Sequence, residues 1–271
     1  MLKSTLLFSL IAMTIALSAP AYGEGPTEHL RSGAEFGYQI ANFHYREPGL
    51  MKETGVLHGV GAAYTDHAMN VVMLRIEGEF MAGQLDYDGR YSNGTPVTSN
   101  TDDWLLELRG LAGYDFAFDR WALTPYMGLG YRYWNDDIRV SGGYEREITY
   151  LYSPLGIETG SSFNNWRWGI RAEYDLLLAG WVKSYLSQAV AGYNDPENDQ
   201  NFGEGWGTRA SVYAEYSFAD GYSFALEPYY RHWRIQESNE ADLTINGSKV
   251  GTVVEPSNRT TIWGLKALFQ F

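Results

Sequence analysis

The sequence predicts an all-β chain: a transmembrane, antiparallel up-and-down β-barrel of ten strands, with eight as the alternative, whose strands extend above the membrane. Three observations carry this reading. The chain opens with an export leader. Most of the chain beyond the leader alternates apolar and polar residues with a period of two, as a strand with one apolar side does. Between the alternating runs, short polar turns take turns with longer acidic or glycine-rich loops, as at the two ends of an up-and-down barrel.

The leader is residues 1–21, with Lys3 as its charged start, Leu6 to Leu17 as its apolar run and Ala19-Pro20-Ala21 as its cleavage site. Its loss leaves 22–271 as a single barrel domain and takes the formal net charge from −13 to −14. The longest later apolar stretch, "LLLAGWV" at 176–182, is far short of the roughly 20 residues a membrane helix needs. Mean hydropathy is −0.32, yet 21 Tyr, 9 Trp, 12 Phe and 30 Gly give the aromatic, glycine-rich profile of a barrel in the bacterial outer membrane. With no cysteine, a closed hydrogen-bonded sheet has to carry stability. The acidity argues against nucleic acid, whose phosphates call for a basic surface. Nothing in the sequence calls for a cofactor.

In chain order, 34–45 and 55–65 alternate imperfectly. Residues 72–82, 104–116 and 123–133 alternate cleanly, with Arg75, Glu77 and Glu79 on the polar side of the first and Glu107, Arg109 and Asp115 on that of the second. Residues 147–159 alternate less well, and Pro154 suggests a bulge. Runs 166–178 and 206–218 alternate too, with Arg167, Arg171, Glu173 and Asp175 opposing the apolar side of the first and Arg209 and Glu215 that of the second. Short turns fall at 66–70, 118–121, 164–166 and 219–221, and long loops near 88–102, 135–146 and 184–205. The last two strands form one long hairpin about Asn246-Gly247, the strongest short signal for a two-residue turn. Folding there makes paired numbers sum to 493, so Phe269 meets Phe224, Ala267 meets Leu226 and Lys266 meets Glu227. Pro228 and Pro256 are expected to mark bulges. An even strand count places both termini in the periplasm.

The polar faces gather one constellation: Arg75, Glu77, Glu79, Glu107, Arg109, Asp115, Arg132, Arg167, Arg171, Glu173, Asp175, Arg209, Glu215, Glu227, Arg231 and Lys266. Both signs occur on neighbouring strands, and open aqueous channels belong to barrels of about 16 strands, so an ion-pair network filling the lumen is expected and a charged channel lining is the alternative. "NDPENDQN" at 194–201 spaces Asp195, Glu197 and Asp199 as calcium loops do, but Gln200 and Trp206 stand where such a loop needs Gly and Glu. A solvated acidic loop is expected there.

Ten strands reaching well above the membrane resemble the omptins, outer-membrane proteases. "LDYDG" at 85–89 puts Asp86 and Asp88 at the top of the third strand, where the resemblance implies an acidic pair. At the top of the seventh, "GWVKSY" offers Lys183, Ser184 and Tyr185 in place of the omptin Asp-x-His, and His58 is expected opposite about residue 78, roughly 26 Å below Asp86. Without an imidazole nothing there takes a proton from water near neutral pH, so Asp86 and Asp88 are weak catalytic candidates. The strand ending at Phe271 resembles the signal read by the outer-membrane assembly machinery. Expected partners are therefore that machinery and outer-membrane lipid, including lipopolysaccharide; an extracellular ligand cannot be named. The functional expectation is a surface-binding or structural role without catalysis, with an omptin-like protease of rearranged site or a narrow porin-like channel as alternatives.

Overall fold

Hydrogen-bonded ladders run between sequence neighbours nearly all the way round the molecule. The computed structural model describes residues 29–271 other than 70, 92, 93 and 220, so the leader over 1–21 lies outside it. The elements are β1 (Gly33–Glu47), β2 (Met51–Ala68), β3 (Val72–Arg90), β4 (Pro96–Tyr114), β5 (Phe116–Ala117), β6 (Ala122–Ile138), β7 (Glu145–Phe163), β8 (Trp166–Ser184), α1 (Leu186–Ala189), β9 (Glu197–Gln200), β10 (Gly205–Ser217), β11 (Ser223–Ile235), β12 (Ala241–Ile245), β13 (Ser248–Val253) and β14 (Asn258–Gln270). Ten of them close a ring in the order β1-β2-β3-β4-β6-β7-β8-β10-β11-β14, and β14 pairs back onto β1. Every pairing in the ring is antiparallel, so the barrel has ten strands and not eight. Both ends of the described chain lie at the end with the short turns, where the Phe271 N–H donates to the Ala34 carbonyl (2.9 Å). We call this the turn end and the opposite one the loop end.

The last hairpin keeps the register read from the sequence: Phe224 faces Phe269, Leu226 faces Ala267 and Glu227 faces Lys266. Asn246 and Gly247 both have positive φ, 49° and 82°, as the tight turn requires. The arms are not continuous, however. Ladder β11–β14 stops at Ile235 and Asn258, and β12–β13 is a small sheet of its own. Pro256 falls in that break. Pro228 makes no bulge: it keeps register with Leu265, and only its rungs to β10 are missing, because it has no N–H to give. A bulge does occur near Pro154, with the shift between Leu151 and Tyr152. Two of the expected long loops are shorter than the sequence suggested, since β3 runs to Arg90, β4 starts at Pro96, β6 ends at Ile138 and β7 begins at Glu145. Pairing continues there with polar residues on the outer wall, so alternation against lipid is no guide.

Alternation reverses phase part-way up the strands. Near the turn end of β1, Phe36, Tyr38 and Ile40 point out and Glu35 and Gln39 point in; further up, Phe43 and Tyr45 point in while His44 and Arg46 point out. In β7, Leu155 and Ile157 are outward while Ile148, Tyr150 and Tyr152 are inward. The outer apolar band, including Trp263 (59% exposed) and Phe269 on β14, is therefore confined to the turn-end part of the barrel. It matches the roughly 9 to 11 residues per strand that a membrane covers. Above Trp104 and Tyr133, whose rings lie 4.8 Å apart, the outer wall becomes polar with Asp102 and Asp137.

Where the phase reverses, the lumen is plugged by apolar side chains. Phe43, Leu57, Met81, Leu105, Trp134, Tyr152, Leu177, Trp233 and Ile262 are each at most 1% exposed, and each comes from a different ring strand. The tenth, β10, contributes Gly207, where a Cβ would lie 2.9 Å from the Trp233 ring. The chain before β1 closes the turn end: Leu30 and Arg31 are 1% exposed, and Arg31 joins Glu35 (2.8 Å) and Glu227 (2.7 Å) inside the mouth.

Candidate functional site

Between the turn-end segment and the plug, the inward charges form a continuous network. Arg209 donates to Asp175 (2.7 Å) and to both oxygens of Glu107; Arg231 spans Glu107 (3.0 Å) and Glu79; Lys266 crosses to Glu79. Arg109 joins Glu173 to Glu77 (3.5 Å), and Arg171 and Arg75 share Glu158 (3.1 and 2.9 Å). Arg167 and Arg31 both reach Glu215 (2.6 and 3.4 Å). Arg132, fully buried, is the cross-strand neighbour of Glu107. Asp115 stands apart at the turn end, accepting from Thr124 (2.6 Å) beside His67 (2.7 Å). Lys266 and Glu227 share a rung, yet each is satisfied elsewhere, by Glu79 and Arg31.

Beyond the plug lies a second cluster that single-strand patterns did not reveal. Arg146 of β7 is its centre, touching Asp136 of β6 (2.6 Å), Glu47 at the end of β1 (2.8 Å), Glu53 of β2 (3.4 Å) and Glu255 just before β14 (3.6 Å). Tyr45 donates to Glu47 (2.8 Å) and Glu255 (3.3 Å). Asp103 of β4 accepts from the Trp134 indole (2.8 Å) and from Thr101. All five carboxylates are buried, Glu53 and Asp136 completely. Burial and the neighbouring Asp136 push Asp103 up to about 7, and burial with Glu47 nearby pushes Glu255 up to about 8. Glu53 is raised well above the ordinary carboxyl range by burial and Asp136, and Asp136 is raised by burial. Among the described residues, Glu53, Asp103 and Asp136 are the one group of three whose ligand oxygens all lie within 4.8 Å of one another. They come from sequence positions too far apart for spacing to signal.

The residues singled out by the omptin resemblance do not meet. Asp86 and Asp88 are exposed on the outer wall, where Asp86 accepts from Asn100 (3.2 Å) and Asp88 pairs with Lys52 (3.2 Å). Their neighbours Leu85 and Tyr87 take the inward positions, because phase reversal puts apolar residues inside at this height. Lys183 lies against the Tyr185 ring (4.6 Å). His58 pairs with Ala82, only four residues from Asp86 and not opposite residue 78; its side chain bonds Tyr38 on the outer face. None of the five histidines reaches the loop-end carboxylates: His29 and His67 are at the turn end, His44 is exposed and His232 bonds Thr261 (3.0 Å). Asp195, Glu197 and Asp199 do not converge either. Residues 197–200 are drawn out as β9 along β8, and Asp195 instead accepts the Ser187 N–H (2.9 Å).

The outer wall above the apolar band is divided by charge. Lys52, Arg46, Arg259 and Arg234 stand in one hydrogen-bonded row across β2, β1, β14 and β11, all exposed. On the opposite side Asp102, Asp137 and Glu145 form a row across β4, β6 and β7, with Arg139 bridging Asp102 (2.7 Å) and Asp137 (3.0 Å). The cationic row sits two outward positions above Tyr230 and Trp263, roughly 13 Å along the strand.

A closed ten-stranded ring with an outer apolar band, aromatic margins and a filled lumen defines an integral β-barrel of the bacterial outer membrane. The chain belongs to the family described as outer membrane protein β-barrel domain, whose model matches residues 9–181; ring strands β10, β11 and β14 lie beyond the matched part. Among solved structures it is similar to the outer membrane protease OmpT from Escherichia coli, with 10% identity and a TM-score of 0.58 over 90% of this chain and 100% of that one. The transport unit of the Escherichia coli autotransporter AIDA-I matches with 10% identity and a TM-score of 0.42 over 90% and 93%. Neisserial surface protein A matches with 16% identity and a TM-score of 0.36 over 89% and 98%. No curated protein matches the chain. At such identity, the likeness to OmpT speaks for the fold alone.

Proposed function

We propose that this barrel is a sealed, non-enzymatic protein of the cell surface, spanning the outer membrane and presenting its loop end to the exterior. The observation that carries the reading is the plug. Nine of ten ring strands each send a fully buried apolar side chain into one level of the lumen, and a tightly packed apolar interior offers ions and water no path. The cationic row supports lipopolysaccharide as the lipid partner: four positive side chains lie just above the apolar band, at the level of headgroup phosphates. The alternative of an omptin-like protease has less support, because Asp86 and Asp88 face outward and no histidine stands by the loop-end carboxylates. The test is planar-bilayer recording of the purified, folded protein. We expect no sustained conductance; steady single-channel currents would overturn the sealed-barrel reading and restore the channel.

A further inference from the structure

We propose that Glu53, Asp103 and Asp136 form the oxygen cage of a calcium ion at the loop end of the lumen. Their ligand oxygens lie within 4.8 Å of one another. That is the spread a single ion at about 2.4 Å from each oxygen can bridge. An all-carboxylate set with no nitrogen or sulfur suits a hard cation and not zinc or copper.

Two further observations point to a ligand. Glu53 Oε2 and Asp136 Oδ1 are fully buried and no donor outside the pair reaches them, although the opposite oxygen of each carboxylate faces Arg146; the one hydrogen bond open to them is to each other, which needs a proton between the two carboxyls. Buried oxygens left without a partner are destabilising, and buried anions still more so. The second observation is the charge count. Glu47, Glu53, Asp103, Asp136 and Glu255 surround Arg146 alone, and the other groups close by, Tyr45, Trp134 and Thr101, are neutral. One guanidinium cannot balance five carboxylates, so the remainder is met by protons or by a cation. An ion there would tie β2, β4 and β6 together across the lumen, beyond the plug.

The experiment uses full-length mature barrel, refolded free of lipopolysaccharide in detergent and stripped with chelator. Trp134, bonded to Asp103, acts as an antenna for terbium luminescence, with calcium as competitor and calorimetry as an independent measure. We expect one ion per chain at pH 7.5 and sensitised emission displaced by calcium. Glu53→Gln and Asp136→Asn should each weaken affinity at least tenfold while keeping the heat-modifiable gel mobility of a folded barrel; Asp103→Asn substitutes for either if it fails to fold. Trp134→Phe should lose the emission and keep calorimetric binding. The double variant Asp195→Asn, Asp199→Asn should bind as the parent does. The proposal fails if calcium does not bind, which would leave the carboxyls to protons. It also fails if binding survives Glu53→Gln and Asp136→Asn, is lost in the Asp195/Asp199 variant, or is seen for magnesium and not for calcium.

Discussion

On the turn side of the plug nine cationic side chains (Arg31, Arg75, Arg109, Arg132, Arg167, Arg171, Arg209, Arg231 and Lys266) share the network with nine carboxylates (Glu35, Glu77, Glu79, Glu107, Glu158, Glu173, Asp175, Glu215 and Glu227), with a tenth, Asp115, set apart beside His67; on the loop side one guanidinium, Arg146, faces five. Both clusters are buried in the same barrel, so the difference is not one of solvent access. Within the apolar band the wall is surrounded by hydrocarbon, and an unmatched charge has nowhere to turn. Above the band, protons or ions from water can make up a deficit. The first cluster balances in charge, although the buried Arg132 guanidinium makes no hydrogen bond within it, and the second carries a surplus that protons or ions have to meet.

The same chemical change should therefore act differently in the two clusters, most strongly on the turn side. Glu107 accepts from Arg209, Arg231 and Tyr152. Glu107→Gln strips charge from a balanced network and leaves two buried guanidiniums short of a partner, so we expect a loss of about 3–5 kcal/mol. Urea unfolding in detergent, followed by tryptophan fluorescence, measures it. A loss below 1 kcal/mol would mean that the network tolerates imbalance and that the contrast between the clusters is false.

On the loop side the effect should be smaller and of opposite sign. A carboxyl whose folded pKa is raised contributes stability that is complete below its unfolded value, near 4, and is lost as pH climbs to the folded value. Asp103 reaches about 7 and Glu255 about 8, so the window runs from about pH 4 to 8. With chelator present, stability should fall across it by on the order of 1 kcal/mol per pH unit for each proton released. Glu53→Gln should raise the stability of the chelated protein at pH 8 by on the order of 1 kcal/mol, because it removes one like charge from the cluster. Melting curves at pH 5 and 8 with chelator check both; a melting point that rises with pH would overturn the sign.

The phase reversal also governs how much of the molecule could be read from its sequence. Where a strand is bathed in lipid outside and charge inside, as in β8 from Trp166 to Asp175, period two is visible in the residues themselves. The terminal ladder was legible to the residue, Glu227 opposite Lys266 included. Runs 34–45, 55–65 and 147–159 looked irregular because each crosses the level where apolar residues switch from the outer wall to the lumen. The plug was hidden by that switch. So was the true direction of Asp86 and Asp88: the residues between and beside them, Leu85 and Tyr87, are the ones that point inward. The loop-end cluster was illegible for another reason. Its carboxylates come from four strands and one loop, and only closure of the ring brings them together.

The smallest effect should come from the acidic pair on the outer wall, and it sharpens the comparison by supplying a third environment. Among the described residues the Asp86 side chain accepts from Asn100, and Asp88 pairs with Lys52, each of those two side chains being more than half exposed. Such a pair works in high dielectric, is screened by salt and loses side-chain entropy when it forms, so it contributes little. We expect Asp86→Asn and Asp88→Asn to change stability by less than about 0.5 kcal/mol, with no dependence on chelator. The same variants, assayed against a mixed peptide library with lipopolysaccharide present, address catalysis directly. Outward carboxylates without an imidazole nearby have no means of positioning and deprotonating water, so any background cleavage should be unchanged by either substitution. Cleavage by the parent protein that either substitution abolished would show that these two residues act together with groups brought to the outer wall, and a hydrolytic role would replace the structural one.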